Sequence, residues 1–195
     1  MRHAPGARSQ GHTLAELMVV LLILGTVATL AAPSWQQNSP AQADAAVVEI
    51  VQALRFAQDE AIRTNSYRLV QCDTGANRLT VSTLNMTASP PVANTTTPVL
   101  HPIDKQRYLI DLSTMAPTNG VSLVSCAFTY GVGATSSTLA QVEFDPDGAP
   151  VYIAAMNAGV PTVAPLTANG AIVVGSPGHQ RTVSVATLTG RVTAP

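Results

Sequence analysis

Glu16 occupies the position in this sequence where a charge is most costly. It is followed by an uncharged apolar run from Leu17 to Ala32. A carboxylate at a membrane-embedded position costs several kcal/mol unless a cation pairs with it. We therefore expect Glu16 to form an ion pair with a cationic group. The alternative is a side chain that extends to the membrane surface and has no role.

The other residue types that support catalysis or metal binding are dispersed. The four histidines lie far apart in the chain, at His3, His12, His101 and His179. No His-Glu-x-x-His motif, paired-cysteine motif or glycine-rich phosphate loop is present. Asp145 and Asp147 could ligate a cation, but Asp145-Pro146-Asp147-Gly148 has the residue order of a type I turn. We predict that the protein is not an enzyme and uses no cofactor or metal.

The composition favours an exported protein. Of the 195 residues, 46% are hydrophobic and 11% are charged, against roughly 25% charged in an average soluble domain. The net charge is −1 and basic residues form no stripe, so nucleic-acid binding is disfavoured and protein partners are expected. Cys72 and Cys126 are the only cysteines. In an exported domain they would form one disulfide, and two separate buried thiols are the alternative.

The N-terminal segment is expected to direct export. Arg2 and Arg8 precede the apolar run, which predicts that the N-terminus stays cytoplasmic and the remainder is exported. A secretory signal peptide cleaved after Ala31 is one interpretation, although Glu16 and Pro33 disfavour it. An uncleaved signal anchor is a second interpretation.

Beyond this segment the pattern is first helical and then extended. Apolar residues recur every three or four positions over Ala41–Thr64, which predicts one helix from about residue 12 to 64, bent between Pro33 and Pro40. Short β-branched stretches follow. The predicted strands are Tyr67–Cys72, Arg78–Thr83, Tyr108–Leu112, Val121–Thr129, Leu139–Asp145, Val151–Ala155, Ala171–Gly175, Arg181–Thr187 and Arg191–Thr193. Residues 84–102 and 157–169 are predicted to be loops because they are rich in proline, threonine and asparagine.

The segment Gly11–Val20 resembles the processing site of type IV pilins and type II secretion pseudopilins. This resemblance implies that a prepilin peptidase cleaves after Gly11, that His12 becomes a methylated N-terminus, and that Glu16 is the fifth mature residue. Most members have an apolar residue, usually phenylalanine, where this sequence has His12. The cation expected beside Glu16 would be the α-amino group of a neighbouring subunit.

Residues 41–195, which we call the head, resemble the GspH/FimT family of type II secretion minor pseudopilins and type IV minor pilins. The resemblance is carried by Leu54–Asn65, Phe144–Pro150 and Val183–Val192. It implies an α+β, pilin-like fold in which a long N-terminal helix packs on a β-sandwich-like head. The implied parts are a leader (residues 1–11), a transmembrane and filament-core helix (12–40) and a periplasmic head (41–195).

The resemblance also implies a function. It indicates a minor pseudopilin, similar to type II secretion protein H, that is anchored by a single span in the inner membrane and assembles with other pilin-like subunits. The alternative is a type IV minor pilin of a pilus or competence machinery, which could bind DNA through Arg181 and Arg191. Only one arginine follows Gly190, which disfavours DNA binding.

Overall fold

The computed structural model describes residues 14–31, 39–116 and 118–194. The chain divides into two compact units, residues 1–37 and 38–195. The first contains helix α1 (Leu14–Ala31), and the second begins with helix α2 (Ser39–Thr64). Both helices lie within the predicted helical region. Of the predicted bend between Pro33 and Pro40, residues 33–38 lie outside the described residues, and Ser39 and Pro40 begin α2. Within the described residues, no helix has the length and apolarity needed to cross a membrane.

Helix α2 forms because its apolar residues fall on one face. The residues buried on that face are Ala43, Ala46, Val47, Ile50, Ala53, Leu54, Ala57 and Ala61. Five of these are alanines, which let the helix backbone approach the sheets closely. The helix ends at the predicted position: Asn65 has a φ of 48°, and the Ser66 N–H donates to the Ala61 carbonyl oxygen at 3.1 Å. This is a Schellman motif, in which a left-handed residue closes the last turn.

The remainder of the second unit is antiparallel sheet. The strands are β1 (Arg68–Asp73), β2 (Arg78–Asn85), β3 (Val92–Pro98), β4 (Leu109–Asp111), β5 (Ser122–Val132), β6 (Thr135–Leu139), β7 (Gln141–Phe144), β8 (Pro150–Asn157), β9 (Val160–Pro165), β10 (Gly170–Ser176), β11 (His179–Val185) and β12 (Val192–Thr193). One sheet has the order β3-β2-β1-β7-β8-β9, with β4 also paired to β2. The other has the order β12-β11-β10-β5-β6.

One hydrophobic core joins α2 to both sheets. Besides the helix residues, it includes Val70, Leu79, Val81, Phe128, Phe144, Ile172, Val174, Val183 and Val185. The predicted α+β class, with a helix packed on a sandwich-like head, is confirmed. The predicted turn at Asp145–Gly148 is also confirmed, because it connects β7 to β8 and the Gly148 N–H donates to the Asp145 carbonyl oxygen at 2.9 Å.

Two predicted loops are wrong. Residues 84–102 contain β3, and residues 157–169 contain β9. Both strands are at sheet edges, where proline is tolerated because one side of the strand needs no hydrogen bonds. Proline content therefore suggested a loop where the chain forms an edge strand. Strand β6 was also missed, because its serine and threonine residues lack the apolar alternation of a half-buried strand.

Candidate assembly site and N-terminal motif

Glu16 lies in the first turn of α1, where a negative charge is favoured by the helix dipole. Gly11 and His12, the predicted processing residues, lie outside the described residues. The apolar side chains that follow Glu16 are exposed along the helix, from Leu17 at 56% to Leu24 at 58%. Such a helix requires an apolar environment, which a bilayer or other apolar helices would supply.

The Gln58 side chain connects α2 to two turns of the head. Its amide nitrogen Nε2 donates to the carbonyl oxygens of Gly148 at 2.7 Å and Thr189 at 2.8 Å. Gly190 packs against this bridge with a φ of 64°. A Cβ atom at Gly190 would lie 2.6 Å from both Gln58 Nε2 and the Gly148 oxygen, and 3.1 Å from a ring carbon of Phe144.

This bridge brings together the three head segments that carry the sequence resemblance. Gln58 lies in Leu54–Asn65, Gly148 in Phe144–Pro150, and Gly190 in Val183–Val192. Their residue types have a common physical explanation, because they allow α2 to sit directly on the two turns. The three segments are visible in the sequence, but their contact is not, since no local pattern reveals contacts over 90 and 131 residues.

We expect Gly190→Ala to lower the free energy of unfolding by about 3 kcal/mol, since it adds a close contact to the cost of a left-handed alanine. Gly133→Ala is the matched control. Gly133 has a similar φ of 61°, and a Cβ atom added there would meet no other atom within 4 Å, so that variant should lose only about 1 kcal/mol. Urea unfolding measures both. Equal losses would show that the Gln58 bridge does not constrain the turn.

A buried arginine secures the junction between α2 and β1. The Arg68 guanidinium donates to Thr64 Oγ1 at 2.8 Å and Ser66 Oγ at 2.7 Å, and lies 3.6 Å from the Glu60 carboxylate. Burial lowers the pKa of Arg68, while Glu60 counteracts this effect. The pKa of the Glu60 carboxyl is lowered, and the largest cause is its hydrogen bond from Arg63. The Glu60 carboxylate therefore lies between two guanidinium groups, and the cluster carries one net positive charge.

The structure joins Cys72 and Cys126 in a disulfide, with their Cα atoms 6.4 Å apart. Cys72 belongs to β1 in one sheet and Cys126 to β5 in the other. The bond therefore ties the two sheets together at a separation of 54 residues in sequence.

Arg181 and Arg191, the proposed DNA contacts, are not brought together. Arg181 Nε lies 2.7 Å from Asp44 Oδ1, an ion pair that connects β11 to the start of α2. Arg191 lies beside Ala186, whose N–H donates to the Arg191 carbonyl oxygen at 3.0 Å. Arg181 lies within β11 and Ala186 directly follows its last residue, so the two are roughly 16 Å apart if the chain stays extended. The structure thus forms no compact basic cluster from these two residues.

The predicted turn interpretation of the Asp145–Gly148 segment is favoured over a cation site. Asp145 Oδ1 accepts hydrogen bonds from the N–H groups of Asp147 at 3.0 Å and Ala149 at 2.8 Å. Within the described part of the chain, no group of three or more His, Cys, Asp or Glu residues has the arrangement of a metal site.

Comparison with known protein families bears on the N-terminal segment. Residues 6–32 match the family model of the prokaryotic N-terminal methylation motif. The chain carries this N-terminal methylation motif. The match includes the predicted processing residues Gly11 and His12 as well as Glu16. The prepilin interpretation is therefore favoured over the secretory signal peptide and the plain signal anchor.

Solved structures similar to this chain include two kinds of subunit. Two structures of the minor pseudopilin EpsH from the type II secretion system of Vibrio cholerae share 15% and 16% identity. Both alignments span 79% of this chain, and they span 96% and 93% of the two EpsH chains. The TM-score is 0.47 in both cases. The type IV minor pilin FimU of Pseudomonas aeruginosa shares 13% identity over 80% of this chain and 90% of its own, with a TM-score of 0.44. The comparison with curated proteins finds no match.

Proposed function

We propose that this prepilin-type chain is a minor pseudopilin of the GspH/FimT type, a structural subunit and not an enzyme. A prepilin peptidase cleaves it after Gly11, and it then assembles with other pilin-like subunits into a periplasmic filament that serves protein secretion. The observation that carries the proposal is the methylation motif over residues 6–32, with Glu16 in the first turn of an exposed apolar helix.

Glu16 has a defined role in this proposal. Cleavage after Gly11 creates a new α-amino group at His12, four residues before Glu16. The amino group of one subunit pairs with the Glu16 carboxylate of a neighbour. In an apolar medium an opposite charge lowers the cost of burying each group, so the arrangement in which the two meet is favoured. The pair thereby sets the axial position of each subunit in the filament.

The outer face of α2 supports lateral packing. Its exposed positions recur every three or four residues, at Asp44, Val48, Gln52, Arg55, Asp59 and Ile62. Two of these are large apolar residues, Val48 and Ile62, with 52% and 51% of their surface exposed. The opposite face of the helix is buried in the head, so this stripe is the helix surface available to other subunits.

The assembly role predicts a specific loss in the Glu16→Ala variant. We expect at least a tenfold decrease in the amount of the subunit recovered with sheared filaments, because an unpaired α-amino group opposes insertion. The processed subunit should still accumulate in the membrane fraction. Glu49→Ala, which removes a carboxylate from α2, is the control and should assemble normally. Normal recovery of Glu16→Ala in filaments would refute the proposed role.

Deleting the gene in its own host shows whether the chain serves a type II secretion system or a type IV pilus. A minor pseudopilin predicts loss of extracellular protein secretion with surface pili retained. Loss of pili or of pilus-dependent motility, with secretion intact, would instead assign the chain to a type IV pilus.

A further inference from the structure

The ladder between β7 and β8 ends after two residue pairs, Glu143 with Val151 and Phe144 with Pro150. Continuing the register would pair Gln141 with Ile153. The Ile153 N–H and the Gln141 carbonyl oxygen would bond to each other in this pair, but each forms a hydrogen bond with a side chain instead. The Ile153 N–H donates to Glu143 Oε2 at 2.8 Å, and the Gln141 carbonyl oxygen accepts from the Tyr130 hydroxyl at 2.9 Å. A carboxyl group therefore replaces a backbone acceptor at the point where the strands separate.

This carboxyl group is completely buried, with 0% of Glu143 exposed. Its register partners on the neighbouring strands are Leu69 and Val151. The other polar contact is Gln141 Nε2, which lies 3.3 Å from Oε1. Burying a carboxylate without a cation is costly, and two hydrogen bonds compensate only part of that cost.

The titratable groups around Glu143 are tyrosines. They are Tyr67 on the approach to β1, Tyr130 on β5 and Tyr152 on β8, and the pKa of each is raised, mainly by burial and further by the Glu143 charge. Asp145 and Asp147 add negative charge near Tyr67. No basic side chain among the described residues affects Glu143. Burial raises the pKa of Glu143 to about 7, so its charge changes near neutral pH.

The hairpin β8–β9 contacts this carboxyl group at the point where β8 separates from β7. Its pairing is irregular between Ile153 and Ala155, next to the carboxyl group. Ile153 also packs with Leu69 and Leu84 in a small cluster separate from the main core. One further bond, from the Met156 N–H to Ser89 Oγ at 2.9 Å, holds the distal hairpin.

The base of the hairpin is attached independently. Leu166 pairs with Tyr130, and the Thr167 N–H donates to the Thr129 carbonyl oxygen at 2.8 Å. The end of β9 would therefore stay in place if the distal part separated.

We propose that Glu143 is a pH-dependent conformational switch. Ionisation of its carboxyl group releases the distal β8–β9 hairpin from β7 and exposes the cluster of Leu69, Leu84 and Ile153. The ionised carboxylate draws water into the gap between the strands, because the fold supplies no cation there. The hairpin is closed in acidic surroundings and opens as the pH rises above neutrality. The head thus has a closed and an open state, and the open state exposes more apolar surface.

Amide hydrogen exchange of the full chain in detergent tests this proposal. Protection factors, corrected for the intrinsic pH dependence of exchange, are compared between pH 5.5 and 8.5. In the wild type, protection of the Ile153 and Met156 amides should fall at least tenfold over this range. In Glu143→Gln it should stay constant, since the amide keeps an acceptor for Ile153 without titrating. The Ile172 amide, in the other sheet, is the internal control.

Three results would overturn the proposal: constant protection in the wild type, an equal fall in Glu143→Gln, or protection at Ile153 as high as at Ile172 at pH 8.5, which would show that Ile153 exchanges only through global unfolding. A direct titration does not depend on the variant folding. The ¹³C shift of the wild-type Glu143 carboxyl should change with the same midpoint as the protection of Ile153. Titration with an ordinary glutamate midpoint would also contradict the proposal.

Discussion

Replacing Cys72 and Cys126 together by alanine is expected to lower the free energy of unfolding by about 4 kcal/mol. The bond closes a loop of 54 residues, and releasing it increases the conformational entropy of the unfolded chain. It also removes the covalent connection between β1 and β5, which belong to different sheets. Guanidinium unfolding of the oxidised wild type and of the double variant measures the difference.

Reductant provides the control for this prediction. The reduced wild type should unfold close to the double variant, and the double variant should be insensitive to reductant. The oxidised wild type should not react with a thiol reagent even when it is unfolded, and should react only after reductant is added. A double variant within 1 kcal/mol of the oxidised wild type, taken as roughly the error of such comparisons, would show that the bond does not constrain the unfolded state.

The wild-type protein is expected to become less stable between pH 5 and pH 8, by up to about 3 kcal/mol. The pKa of Glu143 rises from 4.5 to about 7 on folding, chiefly through burial. Between these values the folded state binds more protons than the unfolded state, so stability falls as the pH rises through this window and levels off above it. Glu143→Gln should remove this dependence and be the more stable protein at pH 8.

The difference between the two unfolding curves isolates Glu143 from other titrating groups. Asp111 contributes outside this window, because hydrogen bonds from Ser113 and Arg78 lower its pKa to about 2. Its contribution is present at neutral pH and is lost only in acid. A wild-type protein that is equally stable at pH 5 and 8, with the variant showing the same profile, would contradict the assignment.

Local patterns were sufficient for the helix that supports the head. The three- and four-residue spacing of Ile50, Leu54, Ala57 and Ala61 placed the buried face of α2, and Asn65 with Ser66 placed its end. These features depend only on neighbours within one or two helical turns, so a single sequence contains them.

Features that depend on distant contacts were not predictable in the same way. The threonines and prolines of β3 and β9 suggest loops until the neighbouring strands are known, since edge position alone makes proline acceptable. In the sequence, Glu143 follows the apolar Val142, and the alternation of a strand predicts that its side chain is exposed to solvent. Only the early end of the β7–β8 ladder makes it a buried hydrogen-bond acceptor.

The Gln58 bridge shows the same limit within the family resemblance. The three segments Leu54–Asn65, Phe144–Pro150 and Val183–Val192 could each be recognised separately in the sequence. Their residue types alone do not reveal that one side-chain amide holds both turns, which requires the three-dimensional structure. The N-terminal motif differs, because its function depends on short spacing within one continuous segment.

The central claim is that the chain is a processed prepilin-type subunit, and the mass of its mature N-terminus tests this most directly. Full-length protein is expressed in a host with a prepilin peptidase, purified from membranes and analysed by intact-mass and N-terminal peptide spectrometry. We predict a chain that begins at His12, and a Gly11→Val variant that retains residues 1–11. A mature wild-type chain that begins at Ala32, or still at Met1, would contradict the claim.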